Sequence, residues 1–308
     1  MFSVIFPGQG SQIVGMGKEF FDRYEIVKKL FKEANDVLGF NISKIILEGP
    51  KEDLDLTANT QPAIFLISYS IFQVVKNEFN INLNDGKYFA GHSLGEYSAL
   101  SCAEYLDFNQ TIKLLRSRGK AMQNAVPKGE GGMLAVLGTK IEKIEKILKD
   151  NKEKFDVQIA NDNSDGQTVL SGRNKDLELI SIFLKNERIK NIKLPVSAPF
   201  HCNLMSKATE EMKKEFEKIN FKESNNTLIS NVTAKKVSNI TDLKSLLINQ
   251  IEKRVRWRET IINMITYGVD QFIEIGPGKV LSGLVKRINK NVKITSINNQ
   301  SDVESLKL

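Results

Sequence analysis

The stretch Tyr88-Phe89-Ala90-Gly91-His92-Ser93-Leu94-Gly95-Glu96-Tyr97 decides the reading of this chain. An apolar run, Tyr88–Ala90, leads into a glycine-flanked serine, and a helical pattern follows from Leu94. Gly91-His92-Ser93-Leu94-Gly95 matches G-x-S-x-G, the sharp strand-to-helix turn on which a nucleophilic serine stands clear of a sheet. Such a turn strains the serine backbone, so its neighbours must be small. It also leaves the serine at a helix N-terminus, where free N–H groups and the helix dipole favour negative charge. The N–H of Leu94 is then the expected first donor to an oxyanion, and losing one such donor typically costs about a hundred- to a thousandfold in rate.

Outward from this turn, strand and helix patterns alternate. Ser3–Phe6 reads as a strand entering the Gly-rich turn Pro7-Gly8-Gln9-Gly10-Ser11-Gln12, and helical patterns follow over 20–38, 61–79, 94–104 and 109–124. Strands separated by helices of this length predict a mainly parallel sheet in an α/β fold. From about Lys128 the rhythm changes. Met133–Leu137 is a short strand, and Ile141, Ile144, Ile147 and Leu148 share a helix face. Val157 and Ile159 alternate as a strand, and Thr168–Ser171 reads as its neighbour. Leu177, Ile180, Phe183 and Leu184 mark a second helix, and Ile192, Leu194 and Val196 alternate as a last strand. This β-α-β-β-α-β order is that of a ferredoxin-like unit. It places an inserted subdomain at 128–197, between two parts of a larger domain at 1–127 and 198–308. Past the insertion, helices are expected over 205–219, 243–252 and 260–267 and strands near 227–230 and 271–275, with a further helix opening near Lys279.

The chain has two histidines, His92 and His201, so a base for Ser93 has few candidates. Side chains of successive residues diverge on such a turn, which favours His201, in Pro195-Val196-Ser197-Ala198-Pro199-Phe200-His201-Cys202. A positioned imidazole contributes roughly a hundred- to ten-thousandfold by proton transfer. No aspartate presents itself as a third member, so a Ser–His pair with the ring oriented by a backbone carbonyl is expected.

Composition sets the boundaries. With 308 residues, 41% hydrophobic and 26% charged, the chain has the balance of a globular protein, and its apolar runs are far shorter than a bilayer span. The N-terminus begins with a strand rather than a signal or transit pattern. Together with two distant cysteines, Cys102 and Cys202, outside any C-x-x-C spacing, this predicts a reduced, cytoplasmic setting without structural metal. A plastid-type organelle stays open if a leader has been removed. The net charge of +7 is spread over scattered lysines without interleaved aromatics. It predicts neither nucleic acid nor membrane as a partner, and it suits an anionic substrate or an acidic protein. Gly276-Pro277-Gly278-Lys279 lacks the glycine spacing and the Ser/Thr of a phosphate-binding loop.

Seven motifs in order resemble the malonyl-CoA:acyl carrier protein transacylase family over nearly the whole chain: Phe6–Gln12, Thr60–Ala63, Gly91–Tyr97, Arg118–Gln123, Asn161-Asp162-Asn163 with Gln167–Gly172, Phe200-His201-Cys202, and Gly276–Leu281. The resemblance implies an α/β-hydrolase-like large domain carrying the ferredoxin-like insertion. It implies Ser93 as the acyl-accepting nucleophile and His201 as its general base and acid. Gln9 would supply a second oxyanion N–H beside Leu94, and Arg118 would bind the malonyl carboxylate. The backbone carbonyl of Gln250 would orient the histidine, and Phe200, Asn161 and His92 would contact substrate. Arginine suits this role on chemical grounds as well, since its planar fork binds a carboxylate bidentately and stays charged. Phe200 stands where many bacterial members carry a small polar residue, and Asp165 where proline is commoner. The implied reaction is a two-step exchange from malonyl-CoA to the phosphopantetheine thiol of an acyl carrier protein, supplying fatty-acid synthesis, with no cofactor of the enzyme's own and with a monomer expected. A serine esterase or thioesterase using the same elbow, and an inactive carrier-binding scaffold, are the alternatives.

Overall fold

A computed structural model describes residues 1–196 and 198–308. The central sheet has four parallel strands: β1 (Phe2–Phe6), β2 (Phe89–Gly91), β7 (Gln271–Ile275) and β8 (Lys293–Ile297), in the order β2-β1-β7-β8. The second sheet holds β3 (Gly131–Leu137), β4 (Val157–Ser164), β5 (Gln167–Arg173) and β6 (Lys190–Lys193), all antiparallel, in the order β4-β5-β3-β6. The expected α/β class is therefore observed, with the βαββαβ unit as its own small sheet. Every residue of β2 is buried, as are four of the five in β1 and in β7, as befits parallel strands covered by helices on both faces.

Parallel pairing is what brings the loops together. Phe6 pairs with Gly91 and Ile5 with Glu274, so β1, β2 and β7 all end on one edge of the sheet. The loops from Pro7, His92 and Gly276 emerge there side by side, where open α/β sheets bind ligands. The N–H of His92 donates to the carbonyl of Phe6 at 3.0 Å, closing the first two loops on one another.

Two helices cross behind this edge. Thr57–Asn77 is buried along most of its length, and Phe108–Asn124 packs against it. Gly119 permits their close approach, because a Cβ there would stand 2.6 Å from the carbonyl oxygen of Thr57. The neighbouring Arg118 is thereby carried to the sheet edge.

The small sheet has its own core of Leu134, Val136, Ile144, Leu170, Leu177, Ile180 and Leu184. It joins the large unit through β4, where Val255 donates to the carbonyl of Ala160 at 2.8 Å and Asp162 to that of Val255 at 3.0 Å. Asp162, fully buried, is also gripped by Arg258 at 3.0 Å.

Several expected elements differ in detail. The last strand of the small sheet is Lys190–Lys193 rather than the alternating set through Val196. Leu194 still donates to Met133 at 2.9 Å, but Pro195 has no N–H to continue the ladder and Val196 turns back onto Leu194. Ser197, at the end of the expected subdomain, lies outside the described residues. The pattern over 20–38 divides into helices Lys18–Arg23 and Glu25–Leu38, because Tyr24 is extended. The strand expected near 227–230 contributes single bridges, Leu228 to Phe89 and Ile229 to Lys236. β8 and the helix Ile42–Glu48 were not anticipated. Among the described residues no helix is long and apolar enough to cross a membrane.

Candidate active site

Ser93 sits between β2 and the helix Leu94–Cys102 with φ 53° and ψ −111°. This region is sparsely populated by residues with a side chain and persists only where the surroundings impose it. The surroundings do so. A Cβ on Gly91 would overlap the backbone of Gly95, and a Cβ on Gly95 would overlap the carbonyl of Phe6. The serine N–H donates to Asn231 Oδ1 at 2.8 Å, and its carbonyl accepts from Gln250 Nε2 at 2.9 Å. The turn is clamped from both sides.

Ser93 Oγ lies 2.8 Å from His201 Nε2, and His201 Nδ1 lies 2.7 Å from the backbone oxygen of Gln250. The carbonyl can only accept, so Nδ1 carries the proton and Nε2 presents its lone pair to the hydroxyl. Burial, and next the charge of Arg118, hold the imidazole down at about 3, so it is a neutral base at physiological pH. Among the described residues no Asp or Glu side chain bonds this ring directly; the expected pair with a carbonyl partner is what the geometry contains.

Arg118 is 1% exposed. Its Nη2 reaches Ser93 Oγ at 3.1 Å and Gln250 Oε1 at 2.8 Å, and its Nη1 reaches Gln61 Oε1 at 2.8 Å. The guanidinium lies 5.2 Å from the ring centre of Tyr97. Its Nε has no partner, and it makes no ion pair among the described residues. A buried cation held by neutral amides beside a nucleophile is suited to receive an anionic group of a substrate.

The remaining expected residues converge less tightly. His92 turns away from Ser93: its Nε2 is 2.8 Å from Asn163 Oδ1 and 3.5 Å from Asn161 Nδ2, and its ring packs beside Trp257. Burial lowers its pKa, as it does for His201. Asn161 thus reaches the site through His92, from the small sheet. Phe200 is buried immediately before His201. Gln9 follows the turn after β1, with its side chain 3.4 Å from Thr57 Oγ1, and neither its N–H nor that of Leu94 donates to an acceptor among the described residues.

Sequence reasoning missed three contributors and the side chain of a fourth residue it had named. Gln61, Asn231 and Glu96 carry hydrogen bonds that hold Arg118 and the elbow, and Gln250 works through its side chain as well as its carbonyl. Gln61 and Glu96 stood inside recognised motifs without a role. Asn231 lies 138 residues from its partner Ser93, with no local signal to find it.

Comparison with known proteins agrees with this geometry. The model of the acyl transferase domain family matches residues 3–306. The malonyl CoA-acyl carrier protein transacylase of Bacillus subtilis (strain 168) is 43% identical over 302 residues, spanning 97% of this chain and 94% of that protein. The crystal structure of the acyl-carrier-protein-S-malonyltransferase of Bartonella henselae superposes with a TM-score of 0.95 at 41% identity, covering 99% and 97% of the two chains. PlMCAT, a malonyl-transacylase solved in complex with the type II polyketide acyl-carrier protein AntF, superposes at 0.94 with 37% identity, covering 99% and 98%. Likeness of this extent, in sequence and in backbone together, places the chain in the acyl transferase domain family, among the malonyl-CoA:acyl carrier protein transacylases.

Proposed function

We propose that the chain moves a malonyl group from malonyl-CoA to the phosphopantetheine thiol of an acyl carrier protein through an ester on Ser93, supplying fatty-acid synthesis. The observation that carries this reading is the buried guanidinium of Arg118, 3.1 Å from the nucleophile and with no carboxylate at ion-pair distance among the described residues. A malonyl thioester has a carboxylate at the distance of one methylene from the reacting carbonyl, and an acetyl thioester has none.

In the first half-reaction His201 Nε2 takes the Ser93 proton as Oγ bonds to the thioester carbon. The N–H groups of Gln9 and Leu94 hold the oxyanion, preorganised rather than recruited. The C–S bond breaks, and coenzyme A leaves with the proton from the imidazolium. In the second half the carrier thiol gives its proton to Nε2 and attacks the ester carbon, and Ser93 leaves with that proton. The carbonyl of Gln250 keeps the ring in the one tautomer that serves both directions. Phe200, Asn161 and His92 line the acyl and thioester path, the cleft lying between the large domain (1–127 and 198–308) and the inserted subdomain (128–197). The enzyme acts as a cytoplasmic monomer with no cofactor of its own and with neither nucleic acid nor membrane as a partner.

Intact-mass measurement after mixing with malonyl-CoA, without carrier and quenched in acid, tests the reading. One malonyl adduct is expected on the wild type and none on Ser93→Ala. Free malonate without a carrier would instead indicate a hydrolase, and neither adduct nor turnover would indicate a scaffold.

A further inference from the structure

Glu96 lies in the first turn of the helix that follows Ser93, 1% exposed, and it has no place in the chemistry described above. A carboxylate at that depth is expensive unless it is bonded on every side. Glu96 accepts from Gln250 Nε2 at 2.6 Å and from the N–H of Asn231, with both oxygens 3.3 Å away. Each of these partners touches the reacting groups. Gln250 donates from the same Nε2 to the Ser93 carbonyl, accepts from Arg118 on its Oε1, and accepts from His201 Nδ1 on its backbone oxygen. Asn231 accepts from the Ser93 N–H and donates to the carbonyl of Gly91 at 2.7 Å. One carboxylate therefore stands behind the nucleophile, its base and the arginine at once.

We propose that Glu96 is a positioning residue for the acyl-transfer reaction, fixing the Gln250 and Asn231 amides so that the Ser93 turn, the His201 ring and the Arg118 fork keep their mutual geometry. The inference rests on the transferase reading above and deepens it. Gln250 is the C-cap of the helix Ile240–Asn249, and it joins the Glu96 carboxylate on its Nε2 to the His201 ring on its backbone oxygen. Asn231 follows a segment that pairs only through the single bridges at Leu228 and Ile229. Burial pushes the Glu96 carboxyl up to about 7, opposed first by the Gln250 hydrogen bond, then by the Asn231 N–H and the charge of Arg118.

The test pairs single-turnover acylation by malonyl-CoA with nitrogen-15 spectra of labelled histidine, which report the His201 tautomer directly because His92 is the only other signal. Glu96→Gln keeps the volume but cannot accept as an anion from both partners. It is expected to slow acylation by about 10- to 100-fold, the scale of a small misplacement in a preorganised site, and to shift the His201 Nδ1 resonance. Gln250→Leu, which retains the backbone carbonyl, should slow acylation comparably, and the double variant should be no slower than the worse single one. Acylation by Glu96→Gln within about threefold of wild type, or slowing with an unmoved His201 signal, would overturn the proposal. If Glu96→Gln does not fold, Gln250→Leu decides alone: wild-type acylation in that variant refutes the linkage. Failure of the wild type to form the adduct would sink the transferase reading itself, a separate outcome.

Discussion

Replacing Arg118 by alanine is expected to abolish the distinction between malonyl and acetyl thioesters while leaving the Ser93–His201 pair able to react. The guanidinium has five N–H donors. Three are engaged, by Gln61, by Gln250 and by Ser93 Oγ, and the remainder include the unpartnered Nε. A malonyl carboxylate would gain about two charge-assisted hydrogen bonds, each contributing roughly 1.5–3 kcal/mol. The differential against acetyl is then about 3–6 kcal/mol, or roughly a hundred- to ten-thousandfold in kcat/KM. Arg118 also depresses the pKa of His201 by its charge, so alanine leaves a somewhat stronger base at Nε2 and does not disable the nucleophile. The assay is competition: malonyl-CoA and acetyl-CoA are mixed with enzyme and carrier, and the two acyl products are counted by mass. The ratio is independent of how much protein is folded. Arg118→Lys should fall between the two, since an ammonium keeps the charge and loses the fork. A malonyl-to-acetyl ratio in Arg118→Ala within about threefold of wild type would refute the assignment of the carboxylate to this residue.

Gly91→Ala should destabilise the protein by more than about 3 kcal/mol in chemical unfolding, because its methyl would overlap the Gly95 backbone and neither strand nor helix can retreat; a loss under 1 kcal/mol would show that the turn is less tightly built. Phe200→Ala should raise the use of methylmalonyl-CoA relative to malonyl-CoA by about tenfold, the scale on which a pocket senses one methyl group, and an unchanged ratio would remove Phe200 from the acyl path. The pH dependence of stability should carry two opposing contributions. His201, lowered from 6.5 to about 3, binds a proton in the unfolded chain first, so its contribution to stability is lost as pH falls from 6.5 toward 3. Glu96, raised from 4.5 to about 7, holds its proton longer when folded, so its contribution is lost as pH rises through that window. The two offset between about 4.5 and 6.5, and below 4.5 the histidine acts alone, at up to about 1.4 kcal/mol per pH unit. Urea midpoints measured at pH 4.5 and 3.5 should therefore fall more steeply for wild type than for His201→Asn, and parallel curves would contradict the buried, neutral imidazole.

Local chemistry in the chain was enough to locate the elbow, the small βαββαβ unit and the serine and histidine that the fold brings within 2.8 Å. Glycines at 91 and 95 between an apolar strand and a helical pattern mark the sharp turn, and the alternation of Val157 and Ile159 against the helical spacing of Leu177, Ile180 and Leu184 is a short-range signal. Elements without such signals were harder to read. β8, at the edge of its sheet, has a single fully buried residue, Ile297, so its pattern carries little contrast. Tyr24 interrupts two helices without glycine or proline to mark the break. The ladder ends at Leu194 because Pro195 follows, a stop that the apolar alternation of 192, 194 and 196 obscures.

What the sequence determined by itself is a serine on a glycine-flanked turn and a second histidine favoured as its partner, while Arg118 entered through the family resemblance. Which atoms meet was decided only by tertiary structure. Arg118 reads locally as a surface residue of an amphipathic helix, and it becomes a buried cation because Gly119 lets its helix press against Thr57–Asn77. Gln61, Asn231 and Gln250 reach the site across separations of 57, 138 and 157 residues. Hydrogen bonds of that kind leave no periodic trace in a chain, because the packing of the sheet edge, and not local conformational preference, brings their partners within 3 Å.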